Sequence, residues 1–125
     1  MVMESLKKGF VVAIALFAFS ACAPKPLYFY GDYSDCYYKN KKTVSEENSS
    51  KLKSSMENAI ENVGKSTSGR VPPGMYASLG YMYLKDGKAQ MAIGNFEKEK
   101  ETYPESSHFM DRIISKVELM EGEVK

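Results

Sequence analysis

Residues 75–104, MYASLGYMYLKDGKAQMAIGNFEKEKETYP, decide how the chain folds. In their first half Tyr76, Leu79, Gly80 and Tyr83 recur at i, i+3, i+4 and i+7, the spacing of one buried stripe on a helix. Ala89, Ala92, Ile93 and Phe96 repeat that spacing in the second half. Lys85-Asp86-Gly87-Lys88 between the halves predicts a turn, so the stretch reads as two antiparallel helices. Gly80 and Ala92 are small where the helices must cross closely, and the larger stripe residues fill the space beside that crossing. Pro104 ends the second helix.

Tyr76, Leu79, Gly80, Tyr83, Ala92, Phe96 and Pro104 stand at the spacing of the tetratricopeptide motif, which the stretch resembles. Glu99 departs from it, standing where the motif has a small apolar residue. The resemblance implies a surface for binding other proteins. By analogy with tetratricopeptide grooves, the partner-facing side of the first helix would carry Ala77, Tyr81, Leu84 and Lys85. The charge run Glu97-Lys98-Glu99-Lys100-Glu101 reads as a solvated outer face.

Upstream, Thr43 with Glu46 has capping-box spacing, which predicts a helix from near Val44. Its apolar stripe is Leu52, Met56, Ala59, Ile60 and Val63, and Gly64 is its natural stop. Ala59 and Val63 lie 33 residues before Ala92 and Phe96, so this helix reads as the second half of a degenerate earlier repeat. Lys65 to Arg70 (KSTSGR) reads as a flexible loop, and Pro73 is placed for the first turn of the next helix. Downstream, Ser106 or Ser107 can cap a last helix with Phe109, Ile113, Val117 and Met120 on one stripe and Met110 and Ile114 beside it. That helix would cover the open apolar side of the hairpin. The expected fold is all-α, a short array of three to five helices.

The N-terminus reads as an export signal. Lys7 and Lys8 precede the uninterrupted apolar run Phe10 to Phe19, which is too short for an ordinary span of ~20 residues. Phe19-Ser20-Ala21-Cys22 resembles a lipobox, with Phe19 in place of the usual leucine. The other reading is a plain anchor helix with an incidental cysteine; charge, length and the small residues together favour lipidation of Cys22. The chain then divides into a signal peptide (1–21), a lipidated cysteine with proline spacer and aromatic strap (22–42), and a helical domain (43–125). Ala23 follows the cysteine, not the aspartate that retains lipoproteins at an inner membrane. The expectation is an outer-membrane anchor with the domain facing the periplasm, and no cofactor beyond the covalent lipid. Ala23-Pro24-Lys25-Pro26 forms an extended spacer.

Leu27 to Tyr38 (LYFYGDYSDCYY) holds six aromatic residues, with Gly31-Asp32 predicting a turn between an extended piece and a short helix. Two readings stand: a strap laid across the helices as added core, or an exposed patch that docks a partner protein. Cys36 is the only thiol left once Cys22 is acylated, so it is either a small apolar packing residue or half of an intermolecular disulfide. Lys39-Asn40-Lys41-Lys42 reads as a solvated turn.

At 125 residues the chain holds one small domain. Past residue 21 it carries 15 basic and 15 acidic residues, a balance that gives no reason to expect a nucleic-acid partner. His108 is the only histidine, so the sequence offers no metal-ligand set and no His–carboxylate pair. Nor does it place a nucleophile beside a base. A non-catalytic protein is expected.

The lipobox, YFYGDYSDCYY, VPPGMYASLGYMYLKDGK and FEKEKETYPES followed by HFMDR together resemble a family of small bacterial lipoproteins of unknown function. Members are often encoded beside a lipoprotein related to the curli secretion channel and a third short lipoprotein. The resemblance brings no known activity. It implies an outer-membrane lipoprotein acting in a cell-envelope assembly with those neighbours. The expected function is a lipid-anchored adaptor that binds envelope proteins, other lipoproteins among them, with no small-molecule substrate evident. The alternative is a tethered regulator of a peptidoglycan synthase.

Overall fold

The computed structural model describes residues 1–8, 10 and 23–123. Cys22 and most of the expected signal peptide lie outside the described residues. Past residue 22 there are five α-helices: α1 (Tyr33–Lys42), α2 (Glu46–Glu61), α3 (Met75–Lys85), α4 (Ala89–Thr102) and α5 (Ser107–Glu123). Short 3-10 turns at Val63–Lys65 and Pro104–Ser106 follow α2 and α4. No strand occurs among the described residues, and none of their helices is long and apolar enough to cross a membrane. The architecture is all-α, as its periodicity predicts.

The α3–α4 hairpin is the centre. Leu79, Gly80 and Tyr83 on α3 face Ala92 and Phe96 on α4, all of them buried. The close crossing is real: a Cβ on Gly80 would lie 2.8 Å from the Phe96 ring and 3.0 Å from the Ala92 carbonyl oxygen. The turn closes as a Schellman motif. Gly87 takes a positive φ of 73°, its N–H bonds the Leu84 carbonyl at 3.0 Å, and the Lys88 N–H bonds that of Tyr83 at 2.9 Å.

α1 packs on α2, and α5 on α4. The core runs through all the elements after α1, from Leu52, Met56 and Ala59 through Val71 and Met75 to Met110, Ile114 and Val117. Ala59 and Ala92, the pair 33 positions apart, are both fully buried (0% exposed).

Several local expectations are corrected. α2 is capped by Ser45, whose hydroxyl accepts from the Asn48 N–H at 3.1 Å, and Thr43 instead closes α1. The basic run 39–42 is not a turn but the last turn of α1, where lysines oppose the negative end of the helix dipole. α2 stops at Glu61 and tightens into the 3-10 turn through Gly64, which does not adopt a left-handed conformation. Pro73 lies ahead of α3, and Gly74, at a φ of 79°, is the N-cap residue.

The loop 65–70 is tied down at its centre: Ser66 is buried, and the N–H groups of Thr67 and Ser68 bond the carbonyls of Pro26 and Leu27. In α5 the buried stripe is Met110, Ile114 and Val117, while Phe109 and Met120 are exposed.

Glu99 requires the largest correction. It is not on a solvated face but buried, 3% exposed. Its carboxylate oxygens accept from the backbone N–H groups of Gly74 at 2.7 Å and Ala77 at 3.3 Å. The chain before Met75 (VPPG) brings no capping side chain, so the first turn of α3 is satisfied by a carboxylate from α4.

Candidate functional site: an apolar groove between α1, α3 and α5

The packing of five short helices leaves one side of α3 incompletely covered. There the molecule has a groove of about 700 Å³, open to solvent. α3 supplies Ala77, Ser78, Tyr81, Met82 and Lys85 to it. α1 contributes Tyr33, Tyr37, Asn40 and Lys41, and α5 contributes Phe109, Met110 and Ile113. Leu52 and Met56 of α2 and Phe96 of α4 form its floor. Its size falls within the range of ligand-binding clefts.

Of the four residues expected on the partner-facing side of α3, Ala77, Tyr81 and Lys85 line this groove. Tyr81 is 60% exposed, a large aromatic ring held out on the rim. Leu84 is not among them: it packs against the core. On the helix 84 falls about 20° beyond 77, on the side away from 81 and 85, so Leu84 stands at the edge of the groove face and turns to the core.

The α1 side carries an aromatic ladder. Tyr30 and Tyr33 stack with ring centroids 6.3 Å apart, and Tyr33 and Tyr37 follow at 5.8 Å. Burial raises the pKa of the Tyr33 phenol above its ordinary value, and Tyr37 and Tyr30 add to the shift. The Lys41 ammonium lies 6.0 Å from the Tyr37 ring centre. No residue of α1 is fully buried, and Leu27, Tyr30, Tyr37 and Tyr38 are exposed. Cys36 is half-buried against the core, with its thiol 3.7 Å from the Asp32 carboxylate.

Asn40 is fixed by Ser49 of α2, whose hydroxyl donates to its side-chain oxygen at 3.1 Å. One turn along α2, Lys53 forms an ion pair with Asp86, the residue after Lys85. These two links set the α1 and α3 ends of the groove against the same face of α2. Behind α3, the Tyr83 hydroxyl donates to the Glu57 carboxylate at 2.7 Å. That bond, with burial and the Glu57 and Asp86 charges, pushes the phenol up to about 12.

Sequence reasoning missed Phe109, which it placed in the core and which stands 63% exposed on the groove rim. Tyr33 and Tyr37 fall in the segment read as either strap or docking patch, and Asn40 in the run read as a turn. The aromatic density of 28–38 signals a surface but not that it meets α3. His108 is exposed, and among the described residues no three His, Cys, Asp or Glu side chains gather as a metal site would require.

Residues 27–113 match the family described as Domain of unknown function (DUF4810). The chain belongs to that family. In this DUF4810 protein the matched segment runs from Leu27, bonded to the 66–68 loop, to Ile113. It therefore takes in every residue that lines the groove, from Tyr33 to Ile113. No curated protein and no solved structure matches the chain.

Proposed function

We propose that this DUF4810 protein is a non-catalytic adaptor, anchored to the outer membrane through a lipid on Cys22, that holds a partner protein of the cell envelope in the α1–α3–α5 groove. The observation that carries the reading is the groove itself: an open apolar trough with Tyr81 and Phe109 exposed on its rim. Exposed aromatic side chains beside an apolar trough are the composition of binding hot spots, and leaving them in water has a cost that a partner removes. The lining is made of apolar side chains, hydroxyls, an amide, ammonium groups and one carboxylate, that of Asp86, which Lys53 engages. This suits recognition and supplies no nucleophile paired with a base. The lipobox-like Phe19 to Cys22 and the proline spacer support tethering.

The test is a mild-detergent pull-down of the full lipoprotein from envelopes, run beside the Tyr81→Ala, Lys85→Ala double variant and a Cys22→Ser variant. The adaptor reading expects a discrete set of envelope proteins, other lipoproteins among them, that the double variant loses. Cys22→Ser should leave the protein unlipidated and release it from the membrane. An interaction set identical in wild type and double variant would sink the groove assignment.

A further inference from the structure

We propose that the groove takes an extended stretch of a partner protein in which an Asp or Glu side chain is flanked by apolar or aromatic ones. This deepens the adaptor reading and rests on it. The charged and amide groups of the lining are concentrated at one end of the groove. Phe109, Met110 and Ile113 form an apolar wall of α5 side chains above the Phe96 floor. The polar groups gather where α1 ends and α3 ends, because Ser49 and Lys53 on one face of α2 hold Asn40 and Asp86 respectively.

The hydrogen-bonding inventory of that polar end is one-sided. Asp86 is the only carboxylate in the lining, and Lys53 has already engaged it. The Asn40 carbonyl oxygen accepts from Ser49, so the amide presents its NH₂ group as a donor. Lys41 and Lys85 form no ion pair with any described residue. The charged and amide groups left over are therefore all donors, two of them cationic. A carboxylate is the group that matches such a set, and its hydrogen bonds to charged donors are the stronger kind.

The dimensions favour an extended chain. Ala77 to Lys85 covers eight helical steps, ~12 Å of groove at 1.5 Å per residue. An extended strand crosses that in roughly four residues, and its alternating side chains can set apolar groups against Phe109 and Met110 while the acid meets Lys85.

The experiment uses the full chain in lipid nanodiscs, with empty nanodiscs subtracted, and reads fluorescence anisotropy. The probes are acetylated, amidated pentapeptides: Leu-Phe-Asp-Phe-Leu and its counterparts with Asn or Lys at the centre. The Asp peptide should bind about tenfold more tightly than the Asn peptide, a preference that shrinks with added salt and in Lys41→Gln and Lys85→Gln. Tyr81→Ala should weaken both peptides alike, and circular dichroism checks that each variant stays folded. Equal binding of Asp and Asn peptides would overturn the carboxylate preference while leaving the adaptor reading intact. A preference for the Lys peptide would overturn it too. So would displacement of every peptide by laurate, which would assign the donors to a lipid carboxylate. If no peptide binds, the proposal fails, and loss of partners in the Tyr81→Ala, Lys85→Ala pull-down would still keep the adaptor.

Discussion

Glu99 on α4 caps α3 from across the hairpin, its carboxylate 2.7 Å from the Gly74 N–H and 3.3 Å from that of Ala77. Two backbone donors that no local side chain satisfies are met by a buried charge placed on the positive end of the α3 dipole. The same contact fixes where α3 starts and how far it slides along α4. The orientation of Tyr81 and Lys85 toward the groove follows from that register.

Removing this carboxylate strips the α3 N-terminus of its acceptor and leaves two partly buried donors unpaired. Glu99→Ala should cost about 2–3 kcal/mol, and Glu99→Gln, which keeps one acceptor oxygen but loses the charge, about 1 kcal/mol. In a domain of this size the alanine variant should melt on the order of 10 °C lower, read by thermal circular dichroism. A melting temperature unchanged by Glu99→Ala would show that the cap contributes nothing.

Two glycines of the hairpin make opposite predictions. At Gly80 an added Cβ would meet the buried Phe96 ring and the Ala92 backbone oxygen at 3.0 Å or less, so the helices must part to admit it. At Gly94, on the same hairpin, nothing lies within 4 Å of the added atom. Gly80→Ala should therefore destabilise by about 1–3 kcal/mol, and Gly94→Ala should stabilise by about 0.5–1 kcal/mol through helix propensity alone. Urea titration of both variants checks the pair. The same sign at both positions would refute the close-crossing account.

The hairpin was legible because its signal is geometric: a helical period, small residues at the crossing and a glycine at the turn are all local properties of the sequence. Glu99 was not legible. EKEKE alternates charge evenly, and although the tetratricopeptide spacing sets Glu99 at a position that takes a small apolar residue, the use of its carboxylate appears only when α3 arrives beside it. A second hint was present, since VPPG puts no Ser, Thr, Asp or Asn ahead of Met75. The α2 cap was missed for a related reason. Reading residues 39–42 as a turn freed Thr43 to cap, whereas α1 runs through Lys42 and hands the role to Ser45. Of the groove, the α3 side was readable from the tetratricopeptide spacing. The α1 and α5 sides depend on how three helices meet, which no single period encodes.

Alkaline pH should destabilise the fold through tyrosines. The Glu57 carboxylate accepts the Tyr83 proton and holds the phenol at about 12, and burial likewise raises Tyr103, whose hydroxyl donates to the Val71 carbonyl at 2.6 Å. A folded-state pKa above the unfolded value means that the unfolded chain releases the proton first as pH rises past about 10. The contribution of each group is therefore complete below pH ~10 and is lost between roughly pH 10 and 12, with a slope on the order of 1 kcal/mol per pH unit per group. Tyr83→Phe should flatten this alkaline loss relative to wild type while costing about 1 kcal/mol at neutral pH. Urea midpoints collected from pH 8 to 11.5 would reveal it, and parallel curves for the two proteins would exclude Tyr83 as a source.

The rotation of α5 separates two neighbouring side chains that sequence alone treats alike. Met110 is buried against the core at 3% exposure, while Phe109, one residue earlier, stands 63% exposed on the groove rim. The apolar positions of α5 are numerous enough to form a stripe through either residue, and the geometry picks the one that also carries Ile114 and Val117 inward. Met110→Ala should cost about 2–5 kcal/mol, whereas Phe109→Ala should change stability by no more than about 0.5 kcal/mol. Phe109→Ala should instead weaken whatever the groove holds, because it removes a rim aromatic without disturbing the floor. Chemical denaturation of the two variants separates the roles. A large stability loss at Phe109 would return that ring to the core and close the α5 side of the groove.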